Sequence, residues 1–280
     1  MYKRINVETE ELQWLYAHNV EYYDYGDCKR YLQIIFPFNN EKNKNEKYPL
    51  ILFIPGSAWH KQELYNDIPQ YVKMAQKGYV VAVLQYRESD IEIFPAQVQD
   101  VGNALDFIPS VAANFNIDID KAFLMGNSSG GHIAMMKALF DANGIMDSAM
   151  KISGVIVESG STDLLICSKN PIPSWMNKRP SAELLGVDKI EENEEVAKNA
   201  SCAKYITKDI TLPSVLLIHS ENDPVVSVEN SRYLYDCLVD CGKEVDFYEI
   251  KDCYAHGGPV FWDSEILDIV DEFCKKILLS

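Results

Sequence analysis

Five residues, Gly126-Asn127-Ser128-Ser129-Gly130, constrain this chain more than any others. The apolar run Ala122 to Met125 precedes them and reads as a buried strand. After them Ile133, Met136, Leu139 and Phe140 recur three to four apart, the spacing of one helix face. A G-x-S-x-G between a strand and a helix has the form of a nucleophile elbow. The turn is so tight that the positions two before and two after the serine must be nearly free of side chain. It pushes the serine hydroxyl over the sheet edge and strains its backbone. The helix start behind it offers unpaired N–H groups and a positive dipole end. That suits an oxyanion forming on a carbonyl attacked by Ser128. Ser129 does not fit the register, because shifting by one puts Asn127 where a small residue belongs.

A serine hydroxyl is a poor nucleophile and needs a base, which must itself be oriented. In this context the partners follow in the order serine, acid, histidine. The chain has five histidines, and only His219 and His256 come well after the elbow helix. His219 ends the apolar strand Val215 to Ile218, with no well-placed acid before it. His256 sits in Ala255-His256-Gly257-Gly258-Pro259, a loop that follows a strand from Val245 to Ile250. Glu221 and Asp223 both lie past the preceding strand. Asp223 is the better acid, since Pro224 presets its turn, and Glu221 is the fallback. The expected oxyanion donors are the backbone N–H of Ser129 and that of Ser57 or Ala58, from the loop after strand Leu50 to Ile54. Each such donor typically lowers a barrier by about 3 kcal/mol.

The rest of the chain alternates strand and helix. Strands fit Leu50 to Ile54, Tyr79 to Leu84, Ser153 to Glu158, Ser214 to His219 and Val245 to Ile250. Helices fit Ile68 to Gln76, Pro95 to Phe115, Ser227 to Cys241 and Phe261 to Leu279. This rhythm predicts a mostly parallel sheet with helices on both faces. Asn19 to Asp24 and Tyr31 to Phe36 add an antiparallel N-terminal edge. The first eighteen residues read as an arm or short helix, and residues 39–47 as a solvated loop. Residues 161–212 break the rhythm and read as a cap-like insertion in a single domain spanning 1–280. Trp59, and Trp175 beside Met176 in the insertion, are the candidate substrate-contacting residues.

The formal net charge of −16 argues against nucleic acid or an anionic membrane as a partner. No apolar stretch has the length of a signal peptide or a membrane span. Seven cysteines, an odd number without C-x-x-C spacing, point to reduced thiols and a cytoplasmic protein. No metal-ligand or dinucleotide-binding pattern is present, and the expected chemistry needs no cofactor.

Further motifs tie these residues to a known family. Gly126-Asn127-Ser128-Ser129-Gly130-Gly131-His132, Tyr86-Arg87 with Phe94-Pro95-Ala96-Gln97 and Asp100, the segment Ile218 to Val226, and His256-Gly257 all contribute. From about Asn19 to Leu279 the chain resembles the α/β-hydrolase superfamily, in the lipase/esterase branch holding acetyl-xylan esterase-like and feruloyl-esterase-like enzymes. The resemblance implies an α/β-hydrolase fold and a serine esterase acting through an acyl-enzyme on small acyl esters, acetylated or feruloylated carbohydrates among them. Related amide hydrolases, of the prolyl-oligopeptidase or arylformamidase kind, are the alternative. A non-catalytic binding protein on the same fold is a third reading. One motif departs: where such enzymes carry H-G-G-G-W, this chain has Pro55-Gly56-Ser57-Ala58-Trp59. Non-glycine residues take positive φ at a cost, so the loop is expected to be set differently.

Overall fold

The computed structural model describes residues 1–7, 13–38, 45–169 and 178–280. Its eight strands are β1 (Trp14–Asp24), β2 (Lys29–Pro37), β3 (Tyr48–Ile54), β4 (Val80–Leu84), β5 (Ile117–Asn127), β6 (Ile152–Glu158), β7 (Ser214–Ser220) and β8 (Val245–Ile250). They form one sheet in the order β1-β2-β4-β3-β5-β6-β7-β8. The pairs from β4 through β8 are parallel, while β1–β2 and β2–β4 are antiparallel. This is an α/β-hydrolase fold, with the elbow strand β5 near the centre of the sheet.

Side-chain alternation sorts the core into two layers. Leu50, Leu52 and Ile54 of β3 point to one face and pack with Val98, Val101, Leu105 and Ile133. Ile51 and Phe53 point to the other and pack with Tyr71, Phe261, Leu267 and Val270. The first face is covered by α2 (Ala96–Phe115) and α3 (Ser129–Ala142), the second by α1 (Ile68–Ala75) and α8 (Ser264–Leu279). A strand apolar on both sides is what burial on both faces of a parallel sheet requires. Helix α3 is buried all round from Ser129 to Phe140, which explains why its sequence shows no polar stripe.

The sequence expectation fails at the N-terminus. Residues from Trp14 belong to β1, not to an arm or short helix. Register shifts between Ala17 and Val20 and between Glu21 and Tyr23 break the two-residue period that would have marked the strand. At the other end, Phe261 and Trp262 lie in a short 3-10 turn before α8, whose N-cap Asp263 accepts from Glu265 N–H at 3.0 Å. The solvated-loop reading of 39–47 falls mostly on residues outside those described.

Among its described residues the insertion carries three short α-helices, α4 (Leu164–Ser168), α5 (Pro180–Leu184) and α6 (Glu194–Asn199). Helix α7 (Glu229–Asp240) follows β7. Asn230 ties the start of the insertion to α7: its Oδ1 accepts from Asp163 N–H at 3.0 Å and its carbonyl from Thr162 Oγ1 at 3.1 Å. The insertion also reaches the loops above the sheet, where Phe94 N–H donates to Leu184 O at 2.9 Å.

Candidate active site

Ser128 stands between β5 and α3 with φ 54° and ψ −124°, a backbone that non-glycine residues rarely adopt. Three hydrogen bonds fix it. Its N–H donates to Glu158 O at 2.8 Å, and its carbonyl accepts from His132 N–H and Ser161 N–H, each at 3.2 Å. The flanking glycines are there for space. A Cβ on Gly126 would sit 2.5 Å from the backbone of Gly130, and one on Gly130 would sit 1.9 Å from Ile54 O.

The structure brings Ser128, His256 and Asp223 together. His256 Nε2 lies 2.9 Å from Ser128 Oγ, and its Nδ1 lies 2.8 Å from Asp223 Oδ2. These contacts span 128 and 33 residues of sequence. His256 sits where the chain turns through two left-handed glycines, Gly257 at φ 73° and Gly258 at φ 77°. Asp223 is anchored through Oδ1, which accepts from Val225 N–H at 2.8 Å and Val226 N–H at 2.9 Å. Burial opposes its ionisation, but hydrogen bonds from His219 and His256 outweigh this and hold the carboxyl well below its ordinary range. Glu221, the fallback acid, lies apart from His256 and accepts from Asp252 N–H at 2.8 Å.

Sequence reasoning set His219 aside as a base, and the structure gives it a supporting place. It is fully buried, with Nδ1 at 2.7 Å from Ser231 Oγ and Nε2 at 3.0 Å from Val226 O and 3.5 Å from Asp223 Oδ2. Its side chain braces the turn that carries Asp223. An imidazole at the end of a strand, four residues before an Asp-Pro turn, was the available signal.

The loop after β3 holds the remaining parts. Gly56 N–H donates to Asn127 Oδ1 at 2.7 Å, and Ser57 N–H donates to Ser129 Oγ at 2.9 Å. Ser57 Oγ lies 2.8 Å from the Tyr86 hydroxyl, which donates to Pro55 O at 3.0 Å. Ala58 and Trp59 both take left-handed backbone, at φ 54° and 61°. Among the described residues no acceptor takes the N–H of Ala58 or of Ser129. The loop is thus set without the glycines, through side chains of the elbow itself.

Trp59 is not among the residues that line the cavity beside the elbow. It is buried, and its indole N–H donates to His132 Nδ1 at 3.1 Å. His132 Nε2 donates in turn to Ala200 O at 2.7 Å, which fixes the tautomer. Burial pulls the His132 pKa down to about 4, so the ring is neutral in this role. Trp175 and Met176 lie outside the described residues.

A cavity of about 250 Å³ opens beside the elbow, between the loop after β3 and the loop after β8. Asn127 and Gly257 form one wall and Glu158 lines it from the end of β6. The rings of Phe53, Tyr71 and Trp262 close the far side.

Comparison with known proteins places this geometry. The BD-FAE family model matches residues 34–238, most of the chain. The chain belongs to the BD-FAE family. Among curated relatives it is 24% identical to the probable carboxylic ester hydrolase LipM of Mycobacterium tuberculosis, over 71% of this chain and 47% of the relative. It is also 24% identical to the isoprenylcysteine alpha-carbonyl methylesterase ICME of Arabidopsis thaliana, over 79% of this chain and 53% of the relative. The chain spans about half the length of the curated relatives it matches. Among solved structures, a truncated carbohydrate esterase from gut microbiota superposes with a TM-score of 0.80. It is 25% identical and the match covers 97% of this chain and 99% of that one. As a BD-FAE member the chain thus shares its fold with proteins named as esterases.

Proposed function

We propose that the protein is a serine carboxylic-ester hydrolase, with Ser128 as nucleophile, His256 as base and Asp223 as its orienter. One observation carries this: the unbroken hydrogen-bonded line from Ser128 Oγ through His256 to Asp223, at 2.9 and 2.8 Å. Ser128 Oγ attacks the ester carbonyl carbon while His256 Nε2 takes the hydroxyl proton. The negative charge that develops on the carbonyl oxygen falls between the N–H groups of Ser129 and Ala58. Ala58 is preferred to Ser57 because the Ser57 N–H is already given to Ser129 Oγ. Collapse of the tetrahedral adduct breaks the bond to the alcohol, which leaves with the proton from His256. Water, deprotonated by the same imidazole, then frees the acyl group from Ser128. Asp223, held ionised, keeps the Nδ1 proton in place and stabilises the imidazolium.

Small acyl esters of carbohydrates are the substrate class we assign, on the full-length likeness to the gut carbohydrate esterase. Residues 161–212 act as a partial cap. Support comes from His60 in the loop after β3, whose Nε2 lies 3.1 Å from Glu183 Oε2 of α5. All seven cysteines are unpaired, in keeping with a reducing, cytoplasmic setting. The charge of −16 supports a small-molecule partner over nucleic acid or membrane. Among the described residues no helix is long and apolar enough to cross a membrane.

A fluorophosphonate probe tests the reading. It is expected to label Ser128, and turnover of p-nitrophenyl acetate, acetylated xylo-oligosaccharides and methyl ferulate is expected to exceed that of aminoacyl amides. Labelling elsewhere, or faster amide cleavage, rejects it.

A further inference from the structure

Glu158 has no role in the chemistry above, yet it is 2% exposed at the end of β6, next to the nucleophile. Its backbone carbonyl holds Ser128 N–H, so the side chain is fixed relative to the elbow. Among the described residues its Oε1 has no hydrogen-bond partner. Among the described residues no cation answers the charge either: burial pushes its pKa up to about 8. A buried carboxyl without partners opposes folding, and native chains seldom keep one without a use.

The surroundings say what it is for. The carboxyl lines the cavity beside Ser128, where a Cβ on Gly56 would come within 2.8 Å of the serine Cβ. Three rings share the wall: Tyr71 lies 4.8 Å from Phe53 and 5.3 Å from Trp262 between centroids. At the mouth stand Glu63, Asp67 and Lys61, so carboxyls outnumber ammonium groups by three to one when Glu158 is included. A lone deep carboxyl, aromatic faces and an acidic mouth favour a cation over a neutral polar group.

We propose that this cavity is a subsite for an ammonium-bearing group, gripped by the Glu158 carboxylate and the rings of Tyr71 and Trp262, beside the reacting serine. The ligand's N–H groups meet the Glu158 carboxylate where it lines the cavity. An ester carrying a primary ammonium on its alcohol or acyl arm reaches both the subsite and Ser128. This last consequence rests on the esterase reading, whereas the binding itself does not.

Binding is therefore tested without any ester. Calorimetry on the wild-type protein compares n-butylammonium with n-butanol, two probes of equal length that undergo no hydrolysis. The ammonium is expected to bind roughly ten-fold tighter or more. Its affinity is expected to rise between about pH 6.5 and pH 9, as Glu158 ionises, while that of butanol stays constant. Glu158→Gln, close in shape, is expected to remove both the preference and its pH dependence. That comparison separates Glu158 from Lys61, Glu63, Asp67 and Tyr71. Equal affinity for the two probes, no binding of the ammonium, or a preference that survives Glu158→Gln overturns the proposal and leaves water to satisfy Oε1. The wild-type pH series decides the matter even if the variant folds poorly. Failure here with Ser128 still labelled by fluorophosphonate removes the subsite alone; loss of labelling with ammonium binding intact removes the esterase alone.

Discussion

The Trp59 indole N–H donates to Nδ1 of His132 at 3.1 Å, joining the loop after β3 to the elbow helix. The two rings meet edge to face with centroids 5.5 Å apart. Through Nε2 and Ala200 the same imidazole also holds the insertion, so one neutral ring pins three segments around Ser128. Trp59→Phe keeps most of the packing but leaves Nδ1 buried without a donor. A loss of about 1–3 kcal/mol is expected in chemical unfolding. Turnover should fall with it, because the left-handed Ala58–Trp59 backbone loses its anchor. Unchanged stability would show that the contact is incidental.

Ser128→Ala and His256→Ala should each reduce kcat by about 10⁴-fold or more, and the double variant should be scarcely worse than either. A hydrogen-bonded line acts as a unit, so its losses do not multiply. Steady-state rates on p-nitrophenyl acetate decide this; multiplicative losses reject a shared mechanism.

Asp223→Asn should leave the fold in place and cost about 10⁴-fold in kcat, because an amide accepts and donates in the wrong sense to fix the His256 tautomer. Glu221→Gln should leave kcat within about two-fold of wild type, as surface substitutions usually do. Reversed outcomes would move the acid to Glu221.

Ala58 carries φ 54°, where an L side chain costs about 1–2 kcal/mol and a β-branched one more. Ala58→Val is expected to lower both the melting temperature and kcat, while Ala58→Gly should melt near or above wild type. Valine tolerated as well as glycine would mean that the loop takes another backbone in solution.

Glu158 makes stability depend on pH in a definite direction. Its folded pKa, about 8, lies above the unfolded carboxyl value of 4.5. Between these values the unfolded chain has released a proton that the folded chain retains. Stability therefore falls as pH rises through that window, by up to about 1.4 kcal/mol per pH unit, and levels off above it. Thermal melts of wild type and Glu158→Gln across the window should converge at its acid end and separate at its alkaline end. Parallel curves would place the ionisation elsewhere.

Ser128, Asp223 and His256, the residues proposed as the triad, could be picked from the sequence because chain order and glycine spacing leave few choices. Only one histidine lies in a glycine-containing loop after the elbow helix, and only one of the two nearby acids precedes a proline. The loop after β3 was legible as a location but not as a geometry. The left-handed backbone of Ala58 and Trp59 is imposed from outside, by Ser129, Tyr86 and His132, and no local propensity announces it. The first part of β1, Trp14 to His18, was hidden for the opposite reason, since the strand's bulges scramble the period that propensity reading relies on. Glu158 looked like the polar end of an apolar strand, and only the packing around it shows that its carboxyl stays inside.

The span of 128 residues between Ser128 and His256 has a consequence for how the molecule matures. Contacts so far apart in sequence form late, after nearer pairings have paid their loop-closure entropy. During synthesis the elbow, its helix and the loop after β3 emerge well before β8 and the loop beyond it. A nascent chain folded as far as β7 would present Ser128 without His256, the residue proposed as its base. Reactivity of that hydroxyl towards an acylating probe is thus a readout of completed assembly, silent in every intermediate that lacks the final crossover.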